Sequence, residues 1–180
     1  MANSIKQYLD FLKLVEGNMY VPYIPPKGNS GITIGIGVDI GHMNPDKLNI
    51  PQHMKDILRP YFRLKEDVAR YALLSNPFKL TKEEVDLLSM AAIQLHLDEL
   101  IRWFNAESDV KFDELTLNQR TVLLSIKYHY GNPPRRTPKF WGFATSGDWK
   151  SVYHELRNFG DNFARRRNME ADLIAKDFDE

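Results

Sequence analysis

The chain has 180 residues, 43% of them hydrophobic and 27% charged, with 24 basic against 24 acidic side chains and no cysteine. That length suits one domain with ample core, and the composition argues against a disordered or membrane-embedded chain. A neutral balance supplies no overall field for nucleic acid, and without thiols disulfides and thiolate metal sites are excluded.

The first predicted element is a helix. Ser4, with Gln7 three residues on, can form a capping box, and Ile5, Tyr8, Leu9, Leu12 and Val15 fall on one stripe at about 100° per residue. Glu16 continues that stripe, and Gly17 suits the residue after a helix end. A carboxylate aimed into apolar surroundings is desolvated, which favours the protonated form that a general acid requires. The plainer alternative is a last-turn glutamate reaching water. This opening segment, MANSIKQYLDFLKLVEG, has no apolar core of the kind a secretory signal needs, and no run in the chain is long enough to span a membrane.

Tyr20 to Ile24 reads as a short edge strand because of Pro22, followed by a loop from Pro25 to Gly31. Beyond it the chain alternates. Ile32, Ile34, Ile36 and Val38 form one face, and Thr33, Gly35, Gly37 and Asp39 form the other. The first face is expected in the core. The second is expected to be a bare floor on which a polymer can approach the backbone at Gly35 and Gly37, unless those glycines serve only a turn. A straight strand would hold Thr33 and Asp39 about 20 Å apart at ~3.3 Å per residue. A hairpin bent at Ile36 and Gly37 would bring them together, and that bend is the prediction.

Asn44-Pro45 starts a helical turn, Pro51 and Pro60 divide short helices, and Lys65 to Ser75 forms another. Thr81 with Glu84 caps a long helix running to about Asn105, and Thr116 with Gln119 caps a buried one closed by Gly131. Asn132 to Arg136 is read as a loop. Helices follow over Pro138 to Ala144, Asp148 to Phe159 with Asp148 as N-cap, and Phe163 to Phe178.

Several other signals lead elsewhere. Gly35-Ile36-Gly37 lacks the remainder of a dinucleotide or phosphate-loop fingerprint. Asp39, His42 and Asp46, or His96 with Glu99, lack metal-site spacing, so structural roles are expected for these histidines. Arg165, Arg166 and Arg167, flanked by Asp161 and Asp172 and with Glu170 nearby, read as a solvated, salt-bridged helix; Arg135 and Arg136 could also meet an anionic peptide. Trp103, Trp141 and Trp149 are expected in the core. Tyr23 is the better candidate for lining a cleft, with Tyr128 and His129 weaker ones.

Glu16-Gly17, Tyr23 and Thr33-Ile34-Gly35-Ile36-Gly37 together resemble the active-site segment of T-even phage-type lysozymes. Gly31-Ile32-Thr33 running on to Val38-Asp39-Ile40-Gly41 resembles their pesticin-like branch, and the resemblance continues through Arg120 to Gly131, Ser146 to Trp149 and Arg165 to Ala171. It implies an α+β lysozyme-like fold forming one catalytic domain. A small lobe over about 15–75 would carry the ribbon, a larger helical lobe over about 80–180 would include the N-terminal helix, and a cleft would lie between them. It implies a glycosidase that cuts the β-1,4 bond between N-acetylmuramic acid and N-acetylglucosamine in peptidoglycan, with inversion. Glu16 would be the proton donor, and Thr33 and Asp39 would hold the water. The T-even pattern has an aspartate between its glutamate and threonine, whereas residues 18–32 here contain no acid, which leaves Asp39 as the second acid. No cofactor is implied. A monomer acting on the wall in the periplasm or outside the cell is expected, reached by lysis, a holin or a delivery system; an immunity or inhibitor protein is a further expected partner. A phage endolysin, a bacteriocin's killing domain and an injected effector all fit, and a non-catalytic peptidoglycan-binding module is the alternative.

Overall fold

The computed structural model describes residues 2–26 and 28–178, so Lys27 of the Pro25 to Gly31 loop lies outside the described residues. It is α+β, mostly helical with a three-stranded antiparallel sheet, as the resemblance implied. The chain forms two compact units, one running to Gln94 and one beginning at Leu95.

In the first unit, helix α1 spans Ala2–Glu16. It starts ahead of Ser4, which therefore lies inside the helix rather than capping it. The apolar stripe is as read, with Tyr8, Leu9 and Leu12 buried. Gly17 ends the helix at φ +80° with its amide on the Lys13 carbonyl (3.1 Å), a conformation that costs a side chain energy but not glycine.

Strands β1 (Met19–Tyr23), β2 (Thr33–Gly35) and β3 (Val38–Asp39) lie in chain order, leaving the proline-bearing β1 on an edge. Ile34 pairs with Val38 and Thr33 with Asp39, so the chain reverses at Ile36 and Gly37 as predicted. The Ile40 amide on the Ile32 carbonyl (2.8 Å) extends the same register. Ile32, Ile34, Ile36, Val38 and Ile40 are all buried.

At the base of this hairpin Gly31 and Gly41 approach so closely that a Cβ on Gly31 would stand 2.5 Å from the Leu64 carbonyl oxygen and 2.7 Å from the Gly41 Cα. Alanine there would collide with backbone. A strap from Arg63 to Glu66 binds both sides of the base, through the Arg63 amide on Gly41 (3.0 Å) and the Glu66 amide on Ser30 (2.9 Å). Both strap residues take positive φ, +69° and +48°, a local strain that the two hydrogen bonds help to hold.

Helices α2 (Gln52–Leu58) and α3 (Glu66–Ser75) follow, and α4 (Lys82–Glu107) carries the boundary between the units. The Thr81–Glu84 capping box is formed reciprocally, at 2.7 and 3.2 Å. On α3 the apolar residues Val68, Tyr71 and Leu74 face solvent.

The second unit contains α5 (Leu117–Tyr130), α6 (Pro133–Arg136), α7 (Pro138–Thr145), α8 (Trp149–Arg157) and α9 (Ala164–Ala175). Thr116 caps α5 with Gln119, and Asp148 caps α8 through the Ser151 amide (3.0 Å). The stretch read as a loop is instead one helical turn, because Asn132 accepts from the Arg135 amide (3.1 Å) and Pro133 is preset for a first helical position. Trp141 is core, edge-on to Phe104, with its indole donating to Glu107 (2.7 Å). Trp103 and Trp149 are only half-buried. No helix among the described residues is long and apolar enough to cross a membrane.

Of the arginine triplet only Arg165 is exposed, so the helix is salt-bridged as read but not solvated at its other two arginines. Arg166 and Arg167 are buried around a Glu170 that has no exposure at all. Arg166 donates to Glu170 (3.2 Å) and to the Ser125 carbonyl (2.8 Å), and Arg167 to Asp161 (3.0 Å) and Glu170. Packing of α9 on α5 and α8 places the charges inside, where each needs a partner.

Candidate active site

The sheet register builds a transverse row. Tyr23 of β1 pairs with Thr33 of β2, which pairs with Asp39 of β3. Directly paired residues point to one face, so three of the side chains singled out from the sequence share a face within adjacent-strand distance, roughly 5 Å per step between Cα atoms.

Their surroundings differ. Tyr23 is half-buried. Thr33 is only 4% exposed, and its hydroxyl donates to the Gly31 carbonyl (3.3 Å). Asp39 closes the hairpin base: Oδ1 accepts from the amides of Gly31 (3.1 Å) and Gly41 (2.9 Å), and Oδ2 accepts from Gly31 (3.2 Å) and lies 2.8 Å from His42 Nδ1. Two backbone amides and an imidazole therefore fix the carboxylate's plane.

Glu16 is exposed at the last turn of α1, so the desolvated setting expected from its place on the apolar stripe is not there in the free protein. The buried part of the stripe ends at Leu12, Val15 is only half-buried, and the core stops short of the Glu16 carboxylate. The same turn is tied to α4 by Lys13, whose ammonium lies 2.7 Å from Asp86. Although desolvation opposes it, the Asp86 carboxylate holds the Lys13 ammonium above its ordinary value.

The two ribbon glycines separate. Gly37 is exposed, and a Cβ there would meet nothing within 4 Å, which leaves the open approach that was expected. Gly35 is buried beneath α4, where a Cβ would stand 2.5 Å from Ser89 Oγ and 3.2 Å from Val85 Cγ1. It cannot serve as a floor for a polymer; its bareness serves helix packing. In the second unit the His129 ring contacts those of Tyr130 and Phe163, and its Nδ1 accepts from Arg166 (3.0 Å), so it belongs to the buried charge network. Tyr128 is half-buried with its ring edge-on to His96, 4.9 Å between centroids.

Sequence reasoning missed the Lys13–Asp86 pair, because its partners stand 73 residues apart. It also missed His42 as the partner of Asp39, although three-residue spacing across a turn was a signal that could have found it.

The muramidase domain of SpmX from Asticaccaulis excentricus has a similar fold, with a TM-score of 0.56 and 17% identity over 94% of this chain and 95% of that one. No curated protein matches the chain by sequence. Residues 8–150 match the family described as "Pesticin: Bacterial toxin homologue of phage lysozyme, C-term", and the chain belongs to that family.

Proposed function

We propose that this protein is a muramidase that hydrolyses the β-1,4 bond between N-acetylmuramic acid and N-acetylglucosamine in peptidoglycan. The observation that carries the reading is the row of Tyr23, Thr33 and Asp39 across a ribbon that follows Glu16-Gly17, in a member of a family of phage lysozyme homologues. Glu16 protonates the leaving oxygen as oxocarbenium character develops at the sugar. Glu16 is exposed in the free protein, where a polymer can lie over its carboxyl group. Thr33 and Asp39 place and activate the water, Tyr23 lines the sugar site, and exposed Gly37 lets the glycan approach the backbone. Attack of water opposite the leaving group inverts the anomeric centre, so the first product is the α-anomer.

The whole chain acts as one catalytic domain and as a monomer on the bacterial wall, delivered as an endolysin, a bacteriocin domain or an injected effector, with an immunity or inhibitor protein where the producer needs protection.

The test is digestion of purified peptidoglycan by wild type and Glu16→Gln, with fragments identified by mass and reducing end. Muramic-acid reducing ends that disappear with Glu16→Gln are expected. A second reading, a module that binds peptidoglycan without cutting it, draws on the low exposure of Thr33 and the occupied lone pairs of Asp39. Firm sedimentation with the wall and no fragments from wild type would favour it over hydrolysis.

A further inference from the structure

Asp39 is well placed in the row but poorly available. Its side chain is 21% exposed, and its Oδ1 is already taken by two backbone amides. A carboxylate offers about four acceptor sites. Three donors contact Asp39, the Gly41 amide at Oδ1, His42 at Oδ2 and the Gly31 amide shared between both oxygens, which leaves the carboxylate little capacity for a water. The imidazole beside it is the reverse case. His42 is 52% exposed, and apart from the contact with Asp39 its ring has no hydrogen bond among the described residues.

The pairing also fixes the tautomer. An ionised carboxylate only accepts, so the proton in the 2.8 Å contact belongs to His42 Nδ1, and Nε2 of the neutral ring is left as an unprotonated acceptor. The rigid partner is the acid, pinned at the hairpin base by Gly31 and Gly41 amides. The partner that can meet another molecule is the imidazole. A backbone-anchored acid that orients an exposed imidazole is an arrangement suited to general-base chemistry.

We infer that His42 is the base of the proposed hydrolysis: its Nε2 takes a proton from the attacking water, while Asp39 holds the ring and stabilises the imidazolium that forms. The inference rests on the muramidase reading and refines how Asp39 serves it. As the water O–H bond breaks, the proton goes to Nε2 and the oxygen bonds to the anomeric carbon. The glycosidic C–O bond breaks, and its oxygen takes the proton of Glu16. Imidazolium and carboxylate then exchange a proton with solvent to restore the starting state.

The decisive variant is His42→Asn, whose side-chain amide can still donate to Asp39 but has no counterpart to Nε2, so the hairpin base keeps its bonds. On soluble peptidoglycan fragments, kcat should fall by about 10²–10⁴-fold, the range of a lost general base. Asp39→Asn should fall by a similar factor, because an amide nitrogen facing Nδ1 reverses the tautomer, and the double variant should fall no further. Added azide, a nucleophile that needs no deprotonation, should restore turnover in His42→Asn and yield the α-glycosyl azide, which a merely structural role for His42 would not produce. Wild-type turnover by His42→Asn beside an inactive Asp39→Asn would make Asp39 the base and overturn the inference, as would the absence of azide rescue. A wild type that releases no muramic-acid ends would instead overturn the muramidase reading.

Discussion

Gly35 and Gly37 stand two residues apart on one hairpin, both at positive φ (+65° and +97°), yet alanine should be tolerated very differently at the two. At Gly37 a Cβ meets nothing within 4 Å, so only the backbone term applies, about 1–2 kcal/mol, offset by ~0.4–1 kcal/mol from the stiffer unfolded chain. At Gly35 the same Cβ stands 2.5 Å from Ser89 Oγ and 3.2 Å from Val85 Cγ1, which adds an overpacking cost of about 1–3 kcal/mol. Gly35→Ala should therefore cost ~2–4 kcal/mol and Gly37→Ala about 1 kcal/mol. With a urea slope of ~2 kcal/mol per M, the midpoint should fall by about 1–2 M for the first and by roughly 0.5 M for the second.

Ser89→Ala supplies the internal control. Its Oγ donates only to the Val85 carbonyl of its own helix (2.8 Å), so losing it should cost at most about 1 kcal/mol. In that background the nearest obstacle to the methyl group added at position 35 is Val85, and the Gly35→Ala penalty should shrink by ~1–2 kcal/mol. Urea unfolding of the four variants, read at constant slope, decides it. Equal costs at 35 and 37, or no relief from Ser89→Ala, would refute the packing of the ribbon under α4.

Two further outcomes test the second unit. Glu170→Ala leaves the buried Arg166 and Arg167 guanidinium groups without their shared acceptor, so urea unfolding should show a loss of about 3–5 kcal/mol; a loss below ~1 kcal/mol would mean that the network is solvated after all. Burial, followed by the nearby Lys127 ammonium, lowers the His96 imidazole to about 4, partly opposed by Glu99. The folded state then resists a proton that the unfolded chain accepts, so this contribution to stability is intact above about pH 6.5 and is lost as pH falls toward 4. Unfolding free energies measured from pH 7 to 4 should decline by up to ~3 kcal/mol more in wild type than in His96→Gln. Identical pH curves would show that His96 titrates normally.

Much of what depends on a few neighbouring residues was legible in the sequence, the Ser4 box and the Asn132-capped turn being the exceptions. The Thr81–Glu84 and Thr116–Gln119 boxes and the Asp148 cap are local exchanges of hydrogen bonds, and they formed where they were read. The hairpin belongs with them. An alternating run whose polar row holds glycines must bend to bring Thr33 to Asp39, and residue 37 sits at φ +97°, where a Cβ is unfavourable. Glu16-Gly17, Tyr23 and the run from Gly31 to Gly41, in their chain order, carried the family resemblance, and residues 8–150 match that family.

Burial belonged to the tertiary structure. Glu16 continues an apolar stripe, but how far the core extends along that stripe depends on what packs against the helix end, and it stops short of the carboxylate. Gly35 and Gly37 look equivalent in an alternating pattern, and only Ser89 and Val85, some 50 residues on in the chain, distinguish a packed glycine from an open one. Arg166 and Arg167 read as a wet helix face because acids surround them in sequence, but the packing of α9 brings Ser125 and His129 of α5 to them and encloses Glu170. Periodicity and capping are set by interactions over three or four residues, so the sequence alone determined most of the helices and the hairpin, but not the start of α1 or the turn at Pro133–Arg136. Which faces become dry, and which acid is held by backbone amides while its neighbouring imidazole faces water, depends on contacts between distant segments, and only the folded chain decides it.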